Sequence, residues 1–110
     1  MGNYNKVDIR VVKNEEERMQ AMIVRSLVYM GEQACPYAEE FDLNDHAATQ
    51  IIGLIGSEPV LTARIRYFGG VAKLERLAVR KAYRGKGYGQ QLLDFLMEFC
   101  QAKGFSKVYL

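Results

Sequence analysis

Polar and apolar positions near-alternate at the start of the chain. Lys6 to Lys13, KVDIRVVK, sets Val7, Ile9, Val11 and Val12 among polar residues, the pattern of a half-buried strand. The period then lengthens. Asn14 is a helix-capping residue, Glu15, Glu16 and Glu17 follow it, and Met19, Met22, Ile23, Ser26 and Leu27 recur at helical spacing. This predicts an amphipathic helix from residue 15 to about 30, ended near Gly31. Residues 31 to 49 have weak periodicity, one proline (Pro36) and the acids Glu32, Glu39, Glu40, Asp42 and Asp45, which predicts a loop with a short helix.

From Gln50 the pattern becomes that of strands. QIIGLI (50 to 55), VLTARIRYF (60 to 68) and VAKLERLAV (71 to 79) are separated by the turn sequences Gly56-Ser57-Glu58-Pro59 and Gly69-Gly70, giving a three-strand antiparallel meander. Leu92, Leu93, Leu96, Met97 and Cys100 then repeat at helical spacing, with Phe95 and Phe99 widening the stripe and Gly104 as the stop. FSKVYL (105 to 110) is a further strand. If it lies parallel to 71 to 79, residues 71 to 110 form a β-loop-helix-β unit, and the fold class is α/β in the α+β sense, with a mixed sheet.

Composition limits the architecture to one core. A chain of 110 residues, 49% apolar and 25% charged, is read as one domain over 1–110 without linker or repeat. Its formal charge of +2, from 15 Lys and Arg against 13 Asp and Glu, is too near balance for nucleic-acid binding through the overall field. Cys35 and Cys100 fall in different elements and the N-terminus carries no apolar run, so a cytoplasmic protein without a membrane span is expected. MGNYNK begins like a myristoylation site, but Lys6 stands where Ser or Thr is required. His46 is the only histidine and has no paired cysteine beside it, so no metal site is expected.

One segment concentrates chemistry. Arg80 to Gln90, RKAYRGKGYGQ, holds three glycines and four cationic side chains between a strand and a helix. Alternate glycines let a ligand approach the backbone, and the helix start adds its positive dipole end, so the loop reads as a phosphate cradle. Its spacing fits neither a Walker loop nor a dinucleotide fingerprint; Gln90 stands where the latter needs its last glycine.

Arg84-Gly-Lys-Gly-Tyr-Gly89 resembles the acyl-CoA pyrophosphate loop of the GNAT superfamily of N-acetyltransferases, whose pattern is Gln or Arg, two residues, Gly, one residue, then Gly or Ala. Arg84, Gly87 and Gly89 fill it. The context agrees, because Leu77-Ala78-Val79 closes the preceding strand as an LAV-like triplet does in the family. The resemblance implies a GNAT-like mixed sheet and acetyl-CoA as acyl donor, with no metal. It implies that backbone groups of Leu77, Ala78 and Val79 contact the acyl-pantetheine arm and that Arg84, Gly85, Lys86, Gly87, Tyr88 and Gly89 hold the pyrophosphate. It also implies direct acyl transfer to a primary amine, small molecule or peptide, in a ternary complex.

An ammonium of pKa near 10 needs a proton acceptor at neutral pH. Glu75 is the candidate base, set against a structural role for Glu75 and Arg76 in salt bridges with Arg64 or Arg66. The acids Glu39, Glu40, Asp42 and Asp45 either draw a cationic acceptor or form a solvated face. Tyr29, Tyr37, Tyr67 and Phe68 either line an acceptor pocket or pack the core, and Cys100 is a buried packing residue. The chain stops at Leu110, inside the expected last strand, where family members usually continue through another helix and two strands. The expectation is therefore a GNAT domain truncated after the fifth strand, with no residue assigned to protonate the thiolate and the last strand completed by another chain or a homodimer. A non-catalytic acyl-CoA-binding or regulatory module is the alternative.

Overall fold

A computed structural model describes residues 6–40 and 42–110; the myristoylation-like start lies outside them except for Lys6. Five strands form one sheet in the order of the chain: β1 (Asp8–Val11), β2 (Thr49–Ile55), β3 (Glu58–Phe68), β4 (Val71–Val79) and β5 (Lys107–Tyr109). Each of the first three pairings is antiparallel, and β4 pairs β5 in parallel. The meander and the β-loop-helix-β unit are therefore both present. The first hairpin turn is tighter than expected: Gly56, at φ 63°, and Ser57 make it alone, and Glu58 and Pro59 already belong to β3. Gly53 is needed for packing, since a side chain there would collide with Leu61 on the adjacent strand.

Helix α3 (Tyr88–Ala102) covers one face of the sheet, as its stripe predicts. Leu92, Leu96 and Cys100 are buried with Ile51, Leu61, Ala63, Ile65, Ala72 and Leu74 in the main core. Tyr67 stacks on Phe105 with 4.9 Å between ring centroids, and its hydroxyl lies 2.7 Å from that of Thr49, so this tyrosine is a packing residue.

Helix α1 (Glu15–Arg25) lies against the other face but turns a different side inward than its apolar stripe suggests. Asn14 caps it as expected, accepting from the Glu17 amide at 2.8 Å. The buried positions are Glu17, Ala21, Val24 and Arg25, with Val28 continuing the face, while Met19, Ile23 and Leu27 are half exposed. The reason is electrostatic. Glu17 reaches back to the Lys13 amide at 3.1 Å and to Arg10 at 2.8 Å, and Arg25 is tied to Glu40 at 2.8 Å and Asp45 at 2.7 Å. Two charged residues can sit inside because each is paired there.

The helix does not simply stop near Gly31. After Arg25 it widens into a π-helix over Ser26–Glu32, where the Ser26 hydroxyl donates back to the Met22 carbonyl at 2.8 Å. Such back-bonding loosens the regular ladder at the point where the winding changes. The Gln33 amide then bonds the Val28 carbonyl, and two short turns, α2 (Tyr37–Glu40) and a 3-10 turn (Leu43–Ala47), lead into β2.

Candidate functional site

The antiparallel register of β3 and β4 slips in its middle. Arg64 faces Glu75 and Thr62 faces Ala78, so one residue of β3 stands against two of β4, a β-bulge. Arg76 absorbs the slip at φ 54°, a left-handed conformation that costs a non-glycine residue about 1–2 kcal/mol. The surroundings hold it there: its guanidinium lies 2.8 Å from Glu40, 3.0 Å from the Glu39 carbonyl and over the Tyr29 ring at 5.6 Å.

β4 pairs β5 through Val71–Lys73 and Lys107–Tyr109, and past the bulge Leu77, Ala78 and Val79 of β4 border a cleft. The Arg80 amide bonds the Val60 carbonyl, so the strand's alternation turns residues 78 and 80 toward β3 and Leu77 and Val79 toward the cleft. Two side chains already meet this edge. Tyr29 donates its hydroxyl to the Leu77 carbonyl at 2.9 Å, and Arg84 donates Nε to the Val79 carbonyl at 2.9 Å.

The glycine loop closes the cleft at the helix end. A 3-10 turn over Lys81–Tyr83 folds the chain back, then Gly85 (φ 79°) and Gly87 (φ 87°) adopt conformations that side chains resist. A Cβ added at Gly85, Gly87 or Gly89 would meet no atom within 4 Å, so the space above the loop is open to a ligand. Gly87 is the N-cap of α3 and supplies no side-chain cap, which leaves first-turn amides of this helix for an outside acceptor. Tyr88 is buried and anchors the loop to the core.

A cavity of about 350 Å³ collects Leu77, Ala78, Val79, Arg84, Gly85, Tyr88 and Gly89, with Val28, Gln33 and Tyr83. Lys86, exposed, and Gly87 lie between these lining residues in the loop. The strand triplet and the loop named from sequence thus meet at one place. Val28, Gln33, Tyr83 and Glu32, whose carboxylate accepts from Arg84 at 2.6 Å, were not singled out. Three of these belong to or follow the π-helix, which has no mark in the hydrophobic pattern. Larger open grooves lie between β1 and α3 and between α1 and the start of β2, but neither contains the loop.

Glu75 lies outside the cavity lining. Its carboxylate accepts from Arg64 at 2.6 and 3.0 Å and from Arg66 at 3.2 Å, and lies 3.2 Å from Lys73. Burial pushes its pKa up, but hydrogen bonds from Arg64 and Lys73 and the charges of Arg64 and Arg66 overbalance this and hold it below the usual range. The same balance, burial outweighed by arginine contacts, lowers Asp42 and Asp45. These two acids and Glu40 form neither a solvated face nor a free lure for a cation. They are spent on Arg25, Arg64 and Arg76, with Arg25, Arg64 and Glu40 almost wholly buried. Glu39 and His46 are exposed, as are Tyr37 and Phe68. Cys100 is fully buried, which pushes its thiol pKa up. Among the described residues no group of His, Cys, Asp or Glu could hold a metal ion, and no helix is long and apolar enough to cross a membrane.

A mixed sheet whose fourth strand bulges beside a parallel fifth, with a glycine loop and helix N-terminus at the cleft, is the α+β fold of acyl-CoA-dependent acyltransferases. The model of the acetyltransferase (GNAT) family matches residues 14–110. A Bacillus subtilis protein provisionally named an acetyltransferase is 34% identical over 103 residues, 91% of this chain and 70% of that protein. Escherichia coli ElaA superposes with a TM-score of 0.83 at 26% identity, covering 94% of this chain and 76% of ElaA. An acyl-CoA N-acyltransferase from Pseudomonas aeruginosa shares the fold with a TM-score of 0.82 at 20% identity, covering 92% of this chain and 75% of that one. The chain belongs to the GNAT acetyltransferase family, which uses an acyl-CoA donor.

Proposed function

We propose that this chain binds acetyl-CoA in the β4 cleft and takes part in acetyl transfer to a primary amine by direct attack. The observation that carries the reading is the meeting of the Leu77–Val79 edge with the 84–89 loop around one cavity. In this reading the amides from Arg84 to Gly89, backed by the α3 dipole, hold the pyrophosphate. The cleft-facing amides of Leu77 and Val79, whose carbonyls Tyr29 and Arg84 hold, contact the pantetheine arm along the strand edge. Bound there, acetyl-CoA supplies a thioester activated for attack by an amine. The amide groups fix its position.

The test has two parts. Isothermal titration should detect CoA binding, and thiol release from acetyl-CoA should rise with a primary amine or a peptide N-terminus present. Binding without amine-dependent release would support the non-catalytic alternative; no binding would remove the reading.

Glu75 is proposed as the acceptor of the ammonium proton. Its three cationic neighbours favour a second reading, because a carboxylate held below its usual pKa is a weak base. There Glu75 anchors the bulged strand and water takes the proton. Glu75→Gln separates the two. A base predicts lower turnover at neutral pH that recovers as pH rises and free amine accumulates, with CoA affinity kept. An anchor predicts a lower melting temperature and an unchanged pH profile in the protein that stays folded.

A further inference from the structure

The π-helix points two polar side chains at the proposed cofactor site, one to the strand edge and one to the loop. Tyr29 caps the Leu77 carbonyl, and Glu32, one turn on, holds Arg84 at 2.6 Å. Arg84 is the first residue of the loop and also grips the Val79 carbonyl through Nε at 2.9 Å. Its Nε contact fits a loop already folded, whereas its Nη2 is held by the Glu32 carboxylate. The pair is partly solvated, with 45% of the Arg84 and 29% of the Glu32 side chain exposed. Ion pairs so exposed are weak and exchange readily. A pyrophosphate at the α3 N-terminus would be doubly charged and would offer bidentate oxygens to a guanidinium.

We propose that Glu32 is a built-in competitor for the anion site. In the free protein its carboxylate neutralises Arg84; on binding, a phosphate oxygen replaces it at the Arg84 Nη2 while Nε stays on the Val79 carbonyl. Glu32 thereby sets the affinity of the loop for its ligand and the threshold concentration at which the cleft fills. This rests on the acyl-CoA reading above, and its sign is distinctive. If Glu32 only props the loop, removing its charge weakens binding; if it competes, removing its charge strengthens binding.

The experiment titrates CoA into the wild type, Glu32→Gln, Arg84→Met and the double variant, each first checked for folding by circular dichroism. Glu32→Gln should bind CoA about threefold more tightly at low salt, the size expected for a partly exposed pair. The gain should narrow as salt screens the pair, and it should vanish in the Arg84→Met background, because Glu32 acts only through that guanidinium. Weaker or equal binding by Glu32→Gln overturns the proposal, as does a gain that persists without Arg84. Absence of CoA binding by the wild type and all variants overturns the acyl-CoA reading and this inference with it.

Discussion

The glycines of one loop are not equivalent. Gly87 sits at φ 87° as the N-cap of α3, so alanine there is strained by about 1–2 kcal/mol even though no neighbouring atom blocks it. Gly89 has an ordinary helical conformation in the first turn of α3, and alanine there removes backbone freedom from the unfolded chain. Gly89→Ala should therefore raise the melting temperature, by about 0.5–1 kcal/mol of stability, and keep CoA binding. Gly87→Ala should lower both, with CoA affinity falling about tenfold, read by thermal melts and titration calorimetry. Equal effects at the two positions would mean that the backbone conformation at Gly87 does not matter to the ligand. At this scale the sequence was informative: alternate glycines and cationic side chains marked the loop locally, and the resemblance to the family added the Leu77–Val79 triplet, which lines the same cavity. Glu32 left no such mark, since its partner Arg84 is 52 residues away.

Among the elements, α1 shows where pattern reading misleads. Its most apolar stripe, Met19, Ile23 and Leu27, faces out, and its buried face carries Glu17 and Arg25. Periodicity identified the helix correctly because its apolar residues do recur at helical spacing; it chose the wrong face because a paired charge counts as polar in any pattern yet packs as core. The strands did not suffer this, apart from Arg64, since β2, β3 and β4 bury runs of branched residues. The structure makes a direct comparison available. Val24 is fully buried against the Ala78 side of the sheet, so Val24→Ala should cost about 2 kcal/mol in chemical denaturation. Ile23, one residue earlier and half exposed, should tolerate lysine within about 0.5 kcal/mol. A severe loss with Ile23→Lys and a mild one with Val24→Ala would reverse the assignment of the faces.

At the scale of the whole molecule, an ion network binds the irregular segment after the π-helix to the sheet. Asp45 accepts from Arg25 of α1 at 2.7 Å, from Arg64 of β3 at 3.1 Å and from Gln50 of β2 at 3.1 Å; Asp42 and Glu75 converge on Arg64 as well. Asp42, Asp45 and Glu75 all have pKa values below their ordinary ones, because the arginine contacts outweigh burial. A carboxylate whose folded pKa is depressed contributes stability that is fully present above its unfolded pKa and is lost as pH falls through the folded one. The window therefore opens near pH 4, the ordinary carboxylate value, and extends below it. Stability should be flat from neutral pH to about 5 and then fall steeply, as the acids protonate and leave the buried Arg25 and Arg64 without counter-charges. Asp45→Asn isolates one member. It should be less stable than the wild type at neutral pH by about 3 kcal/mol, since it strips a charge from two buried guanidinium groups. The gap should close as pH falls through the depressed pKa of Asp45, where the wild-type carboxyl has itself become neutral. The chain has no tryptophan, so urea melts followed by far-ultraviolet circular dichroism across this pH range are the measurement. A gap that stays constant down to the acid transition would mean that Asp45 stabilises through its shape and hydrogen bonds, and that its charge contributes nothing to holding the segment on the sheet.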